Sequence, residues 1–142
     1  MNIDYMKLAL KEANKALKKG DVPIGCVVVK NNKIIAKAHN EKETKKNAIY
    51  HAELLAISKA CKKLKTWHLE DCKLYTTMEP CMMCAGSIIQ SRINYVCYSI
   101  KNETFGASTY LKNTNKKIEI VPFVLEDESK KLIQTFFKEK RN

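Results

Sequence analysis

Two cysteines in the middle of the chain have a spacing that could support chemistry. Residues 77–87 read TMEPCMMCAGS, in which Cys81 and Cys84 stand three positions apart behind Pro80. Such a pair can be a thiol–disulfide redox motif, half of a structural zinc site, or two ligands of a catalytic metal. A redox motif needs nothing further in the sequence. A structural zinc site needs a second pair of ligands, and the sequence has neither a second Cys-x2–4-Cys nor a His-x3–5-His.

A catalytic metal centre makes a different demand, which a second segment meets. Residues 50–54 read YHAEL, so that His51 stands two positions before Glu53. Catalytic zinc binds three protein ligands and leaves one position open. We predict that His51 is the third ligand, in the first turn of a helix, and that Glu53 flanks the open position, because side chains two apart on a helix point about 200° away from each other. Cys81 and Cys84 share one face of another helix, so two helix N-termini would converge on one ion.

This arrangement suits the hydrolysis of an amine from an aromatic ring. Two thiolates and one neutral imidazole balance the charge of Zn²⁺, and the fourth ligand is a water molecule whose pKa the metal lowers toward neutrality. Glu53 could take the proton of that water and pass it to the leaving ammonia. His-x-Glu followed by Pro-Cys-x-x-Cys is the signature of zinc deaminases that act on nucleobases. We therefore favour a zinc-dependent hydrolytic deaminase over the redox and structural alternatives.

The charge of the chain bears on its partner. The sequence has 26 Lys and Arg against 15 Asp and Glu, a net charge of +11 over 142 residues. An excess of this size in a small domain favours a polyanionic partner, either nucleic acid or a membrane surface. The sequence is also rich in both Lys and Asn, which can reflect the base composition of a genome. The length predicts one domain covering residues 1–142.

Hydropathy and cysteine usage bear on the compartment. No run of about 18 apolar residues is present, and charges interrupt the N-terminal sequence MNIDYMKLALKEANKAL, which predicts an amphipathic helix rather than a signal peptide. We therefore expect a cytoplasmic protein. In that reducing compartment the six cysteines are not a disulfide framework. Cys26, Cys72 and Cys97 lie in apolar stretches and are expected to be core residues.

The hydrophobic periodicity predicts helices and strands in the order α-β-β-α-β-α-β-β-α, which implies a sheet covered on both faces. The predicted helices cover residues 3–19, about 48 or 49–64, 81–91 and 126–139. The predicted strands cover residues 24–30, 33–39, 72–77 and 95–100, with a fifth inside 118–125. Asn31 and Asn32 are expected to form a two-residue hairpin turn. Residues 101–117 are expected to be a loop with at most one helical turn around Tyr110.

Beyond these motifs, the chain resembles the cytidine-deaminase-like superfamily and, within it, the tRNA adenosine deaminases of the bacterial TadA type. The similarity covers nearly the whole chain. It runs through DVPIGCVVV (21–29), HAELLAI (51–57), LYTTMEPCMMCAGSIIQSRI (74–93), KNETFGA (101–107) and the closing FF near the C-terminus. The resemblance implies a three-layer α/β/α fold with a central five-stranded mixed sheet. It also implies a homodimer, and as substrate the wobble adenosine of a tRNA anticodon stem-loop, which is converted to inosine.

The resemblance also implies roles for individual residues. One Zn²⁺ per subunit would bind His51, Cys81 and Cys84, with Glu53 as the proton shuttle. The substrate contacts that it implies are Asn40 against the purine, the backbone N–H of Ala52 facing the base, and a pocket walled by Val22, Pro23 and Ile24. Met82 and Met83 are expected to pack inside the protein rather than against substrate. For Arg92, a phosphate contact and a solvated charge both remain open.

Two features depart from the bacterial pattern. Asn102, a further candidate for substrate binding, matches a position that is commonly Asp, and the polar, lysine-rich segment 106–118 is shorter than usual. Both bear on which substrate is preferred, so a deaminase of a free nucleobase or nucleoside, such as guanine or cytosine, is the nearest alternative. Two further alternatives are a non-catalytic RNA-binding or partner subunit and a thiol oxidoreductase.

Overall fold

The computed structural model describes residues 2–141, and Met1 and Asn142 lie outside that range. Helices alternate with strands along the described residues. The helices are α1 (Asn2–Lys18), α2 (Ala52–Leu64), α3 (Met82–Ser91), α4 (Ser108–Thr114) and α5 (Glu126–Arg141), and the strands are β1 (Gly25–Lys30), β2 (Lys33–His39), β3 (Cys72–Met78), β4 (Tyr95–Ile100) and β5 (Glu119–Val121).

The strands form one mixed sheet in the order β2-β1-β3-β4-β5. β1 runs antiparallel to β2 and to β3, whereas β3, β4 and β5 are parallel. Asn31 and Asn32 join β1 to β2 with φ angles of 52° and 61°. Positive φ at both central residues is typical of a tight hairpin turn, and asparagine tolerates it better than most residues. The predicted two-residue hairpin is therefore confirmed.

Helices cover both faces of the sheet, which confirms the predicted three-layer α/β/α fold. Alternate residues of β1 point to opposite faces, as the geometry of a strand requires. Cys26 and Val28 are buried in the larger core, which includes residues of α2, α3 and α4. Val27 and Val29 are buried in the smaller core, against α1 and the segment that leads into α5. The cysteines expected in the core, Cys26, Cys72 and Cys97, are buried.

Two helices begin later than the periodicity predicts. α2 begins at Ala52 rather than at 48 or 49, and His51 is its N-cap with an extended backbone (φ −78°, ψ 150°). α3 begins at Met82, with Cys81 as an extended N-cap (φ −76°, ψ 177°). The side chains of both N-caps make no capping hydrogen bond. Neither N-cap is the Ser, Thr, Asp or Asn that ordinarily marks a helix start, so these two starts have no local signal in the sequence.

Part of the predicted loop 101–117 is instead the helix α4. Leu111 is its one buried residue, and the rest of STYLKNT is polar or exposed. A helix with a single inward residue gives almost no periodic signal, which is why the sequence pattern indicated at most one turn. β5 has only three residues, within the predicted range 118–125. None of the helices within residues 2–141 is long and apolar enough to cross a membrane.

Candidate metal centre and active site

His51, Cys81 and Cys84 come together as the sequence predicts. Their ligand atoms all lie within 4.8 Å of one another. His51 Nδ1 is 3.7 Å from Cys81 Sγ and 3.5 Å from Cys84 Sγ. In a tetrahedral zinc site with ordinary Zn–S and Zn–N bonds, an S···N pair is about 3.6 Å apart. The three side chains thus already have the spacing that a tetrahedral ion requires, and they could hold one metal.

The topology of the sheet explains how these residues meet. β3 and β4 are parallel, so their carboxyl ends lie at the same edge of the sheet, and the chain leaves β3 through Pro80 directly into Cys81. His51 and Cys81 are both N-caps, and Cys84 lies in the first turn of α3. The expectation that His51 lies within the first helical turn was therefore wrong by one position. Two helix N-termini converge on the site, and their positive ends stabilise thiolates.

The pKa values of the two cysteine thiols are shifted in opposite directions. The pKa of Cys81 is lowered, first because Cys84 donates a hydrogen bond to its thiolate and also because His51 lies beside it. The pKa of Cys84 is raised, because its proton serves that hydrogen bond and because it is buried. The hydrogen bond to Cys81 in turn raises the pKa of His51. A metal that replaces the shared proton would allow both sulfur atoms to be thiolates, since metal ligation requires the deprotonated form.

Glu53 is the second functional feature of the site. The side chain is 3% exposed, and Oε1 is the one buried side-chain oxygen or nitrogen without a hydrogen-bond partner in residues 2–141. Burial raises the pKa of this carboxyl to about 7. An unpartnered buried acceptor is costly, so native structures keep one mainly where function uses it. The position beside the three candidate metal ligands suits a group that accepts and returns a proton.

Asn40 and Ala52 contact each other, which changes the interpretation of both. The backbone N–H of Ala52 donates a 2.8 Å hydrogen bond to Asn40 Oδ1, and the Asn40 backbone is itself bonded to the Ile24 carbonyl. The N–H of Ala52 was predicted to face the base, and the structure shows it with a partner inside the protein. Asn40 is 4% exposed. Its Nδ2 has no hydrogen bond to the described part of the chain, so this group remains as a donor.

An open cleft of about 520 Å³ lies over the metal site. Its lining is formed by Lys42, His51, Cys81, Met82, Met83, Asn102, Thr104, Phe105 and Gly106. Of the predicted substrate contacts, Asn102 belongs to this lining. Val22, Pro23 and Ile24 do not. Pro23 is buried, and Val22 and Ile24 are half-buried, so their role as pocket walls stays a prediction.

The cleft also contains residues that the sequence analysis missed. Met82, Met83 and Phe105 are 55%, 36% and 68% exposed, so the expectation that both methionines pack inside the protein was wrong. The spacing contained the signal, because Ala85 and Ile88 on the buried face of α3 leave Met82 and Met83 on the open side. These three side chains give the mouth of the cleft an apolar rim.

Two buried carboxylates hold the loops on either side of the cleft. Glu79 Oε1 accepts a 3.1 Å hydrogen bond from the Asn102 backbone, and Oε2 accepts bonds from the backbone and hydroxyl of Ser108. On the other side, Asp21 is fully buried and accepts hydrogen bonds from Glu43 and Thr44. The Asp21 bonds span more than 20 residues, so no local pattern could have indicated them.

Comparison with known proteins gives the context of this site. The model of the MafB19-like deaminase family matches residues 2–141. A tRNA-specific adenosine deaminase from Bacillus subtilis (strain 168) is 48% identical over 143 residues, covering 96% of this chain and 89% of that protein.

Two solved structures are also similar. One comes from a study of A-to-I editing by tRNA:A34 deaminases at the wobble position of transfer RNA; it has a TM-score of 0.85 and 31% identity, and the match covers 91% of this chain and 98% of that chain. The other is a guanine deaminase from Bacillus subtilis, with a TM-score of 0.68 and 37% identity, and the match covers 77% of this chain and 73% of that chain.

Proposed function

The chain belongs to the MafB19-like deaminase family, and from that premise we propose that it is a zinc-dependent hydrolytic deaminase that converts the wobble adenosine of a tRNA anticodon loop to inosine. The main evidence for the chemistry is that His51 Nδ1 lies 3.7 and 3.5 Å from the sulfur atoms of Cys81 and Cys84. Beside them is Glu53, whose Oε1 has no hydrogen-bond partner among the described residues. The substrate follows from relatives of nearly full length that are named tRNA-specific adenosine deaminases.

Each site residue has a role in this proposal. His51, Cys81 and Cys84 hold one zinc ion, which when bound supplies a Lewis acid that lowers the pKa of a water molecule toward neutrality. Glu53 Oε1 accepts a proton from the attacking water and returns it to the leaving ammonia, so that adenosine and water give inosine and ammonia. The orphaned oxygen supports this role, because a site built only for stability would leave no buried acceptor unpaired.

Recognition of the base rests on the residues around the cleft. Asn40 Oδ1 is occupied by the Ala52 N–H, so Asn40 would offer Nδ2 to a ring nitrogen of the purine. Asn102 lies in the lining of the cleft, and its Oδ1 accepts a hydrogen bond from the Phe105 N–H, so it too would offer Nδ2. Val22, Pro23 and Ile24 remain proposed walls of the base pocket.

RNA suits this protein better than a free base for two reasons. The net charge of +11 provides a sequence-independent attraction to phosphates. The cleft is open and has an apolar rim of Met82, Met83 and Phe105, on which an unstacked base could rest. We also propose a homodimer of single-domain subunits. We place it in the cytoplasm, where tRNA is modified.

A second candidate is a deaminase of free guanine or another free nucleobase. The observation in its favour is the 37% identity with the guanine deaminase from Bacillus subtilis. That match covers 77% of this chain, whereas the tRNA-specific relative covers 96%. Both candidates use the same zinc chemistry, so only a test of their substrates can distinguish them.

The deciding experiment incubates zinc-loaded protein with an anticodon stem-loop that carries adenosine at the wobble position. Parallel reactions contain free adenosine, guanine, cytosine and cytidine, and inosine or ammonia is measured. A stem-loop with the adenosine moved to a paired stem position controls for loop recognition, and the Glu53→Ala variant controls for contaminating activity. Inosine in the wobble stem-loop alone supports the proposal. Ammonia from a free base with an untouched stem-loop would assign the second candidate.

A further inference from the structure

A second cleft lies at the far end of α3 from the metal centre. It has a volume of about 620 Å³, larger than the cleft over the metal site, and is lined in part by His68, Arg92, Asn94, Asn115 and Lys117. α3 has ten residues, which is about 15 Å of helix, and the metal ligands are at its other end. A ligand in this second cleft therefore cannot be the nucleotide that is deaminated by the same subunit.

An aromatic platform stands beside this cleft. Trp67, the one tryptophan of the chain, is 53% exposed. Its ring stacks on His68 with centroids 3.7 Å apart and an interplanar angle of 28°, and the Arg92 guanidinium carbon is 5.7 Å from the ring of Trp67. Leu69, two residues after Trp67, is 1% exposed and supplies the core contact of this turn. The exposed indole is thus not needed to fill the core.

The backbone holds the platform and the cation in place. The N–H of Leu69 donates a 2.8 Å hydrogen bond to the carbonyl of Ser91. Arg92 follows as the C-cap of α3, with a φ of 69° and its N–H bonded to carbonyls of the last helical turn. A non-glycine residue in the left-handed region is uncommon, and here it forms the C-cap of α3, so the fold fixes the backbone of Arg92 beside the turn that carries Trp67.

The charges around the cleft favour an anion. Two cations, Arg92 and Lys117, lie in its lining against one carboxylate, that of Glu70, which is 3.1 Å from His68 Nδ1. Aromatic rings beside a cation are one means by which proteins bind unpaired nucleotides, with the base stacked on the rings and the phosphate on the cation. A purely apolar ligand would not use the positive charge of either side chain.

We propose that Trp67, His68, Arg92 and Lys117 form a second RNA contact, which takes a single-stranded nucleotide other than the one that is deaminated. The base stacks on the Trp67–His68 platform, and its phosphate contacts Arg92 and Lys117. The identity of the RNA as a tRNA rests on the proposed function, but the contact itself does not depend on catalysis.

The single tryptophan makes the contact directly observable. Zinc-loaded protein is titrated with the anticodon stem-loop and, separately, with a short oligouridine that contains no substrate base, and tryptophan fluorescence is recorded. We expect saturable quenching with both RNAs. In Lys117→Ala, which keeps the fluorophore, the titration midpoint should move to roughly 3- to 10-fold higher RNA concentration. Lys116→Ala, an exposed neighbour outside the cleft lining, is the matched control and should bind as the parent does.

Trp67→Ala tests the stacking itself. Removal of one base-stacking aromatic should weaken RNA binding by roughly 5- to 100-fold, measured by electrophoretic mobility or anisotropy of labelled RNA. The KM for the stem-loop should rise by a similar factor while kcat stays unchanged. The thermal midpoint of this variant should match that of the parent, because the indole is exposed. Arg92→Lys keeps the charge but not the planar group. Its RNA affinity should fall between that of the parent and that of Trp67→Ala.

The outcomes separate this proposal from the proposed function. Quenching of tryptophan fluorescence without any inosine formation supports the second contact and contradicts the tRNA deaminase assignment. Inosine formation at saturating RNA with no change in tryptophan fluorescence overturns the second contact and leaves the assignment standing. Fluorescence that changes on dilution of protein alone, and not with RNA, would mean that a second copy of the chain covers the cleft, which also overturns the proposal.

Discussion

Asn40 Oδ1 accepts a hydrogen bond of 2.8 Å from the backbone N–H of Ala52. Asn40 directly follows β2, and Ala52 begins α2, one residue after the proposed ligand His51. The bond satisfies one of the orphan N–H groups of the helix N-terminus. It therefore fixes the start of α2 against the end of β2, and with it the position of the imidazole. The same side chain is proposed to offer Nδ2 to the base, so its two ends serve different purposes.

Substitution at Asn40 can separate these purposes. Asn40→Ala leaves a buried N–H unpaired, so the free energy of unfolding should fall by about 1–3 kcal/mol and kcat/KM for the stem-loop should fall as well. Asn40→Asp keeps an acceptor for Ala52 at a helix N-terminus, where a carboxylate is favourable, so it should be more stable than Asn40→Ala. It should nevertheless lose most activity, since it cannot donate to the base. Denaturant unfolding and stem-loop kinetics measure both. An Asn40→Asp enzyme as active as the parent would leave Asn40 with a positioning role only.

The sequence was sufficient where the information is local. The proposed metal ligands lie in two short motifs, and the bounds of β2 and β4 agree with the hydrophobic pattern to the residue. The start of α2 was not predictable, because its N-cap His51 makes no capping bond and its N-terminus is instead tied to Asn40. Local patterns carry no information on bonds between residues far apart in the chain. Only the folded structure reveals the hydrogen bonds that Asp21 accepts from residues 43–44 and that Glu79 accepts from Asn102.

Glu53 should be essential for turnover and dispensable for folding. Glu53→Gln keeps the shape of the side chain and removes its capacity to shuttle a proton, so kcat should fall by roughly 10²- to 10⁴-fold. Zinc content should stay at one per chain, because Glu53 is not a proposed ligand. Stability should not fall, since Oε1 has no hydrogen bond to lose. Single-turnover assays, metal analysis and thermal melts give the three readouts. Near-normal turnover in this variant would remove Glu53 from the proposed chemistry.

The metal should depend on Cys84 and not on an equally buried cysteine elsewhere. Cys84 and Cys97 are both 0% exposed, but Cys97 lies in the other core layer. Cys84→Ala should bind less than one tenth of the zinc and lose activity, whereas Cys97→Ala should keep full zinc and most activity at a cost of about 1 kcal/mol in stability. Elemental analysis after gel filtration measures the metal. Chelation should inactivate the parent, and added zinc should restore it. Equal zinc content in the two variants would contradict the proposed ligand set.

Asp21 should act on substrate binding through the loop that it holds. Its carboxylate accepts hydrogen bonds from the Glu43 and Thr44 backbones and from the Thr44 hydroxyl at 2.7 Å, next to Lys42 in the cleft lining. Asp21→Ala should raise the KM for the stem-loop more than it lowers kcat, and amides 43 and 44 should exchange hydrogen faster. Thr44→Val removes only the hydroxyl bond and should show a smaller effect in both measurements. Unchanged exchange at these amides in Asp21→Ala would show that other contacts hold the loop.

Lys42 should contribute a phosphate contact, which salt dependence can measure. It lies in the lining of the cleft over the metal site, whereas Lys7 lines a surface between α1 and α5, on the other side of the sheet. The logarithm of stem-loop affinity should fall linearly with the logarithm of salt concentration in the parent. In Lys42→Ala the magnitude of that slope should decrease by about 1, since one fewer counterion is released on binding. In Lys7→Ala the slope should match the parent, although the net charge is the same as in Lys42→Ala. Equal slopes for the two variants would mean that net charge, and not a contact at the cleft, attracts the RNA.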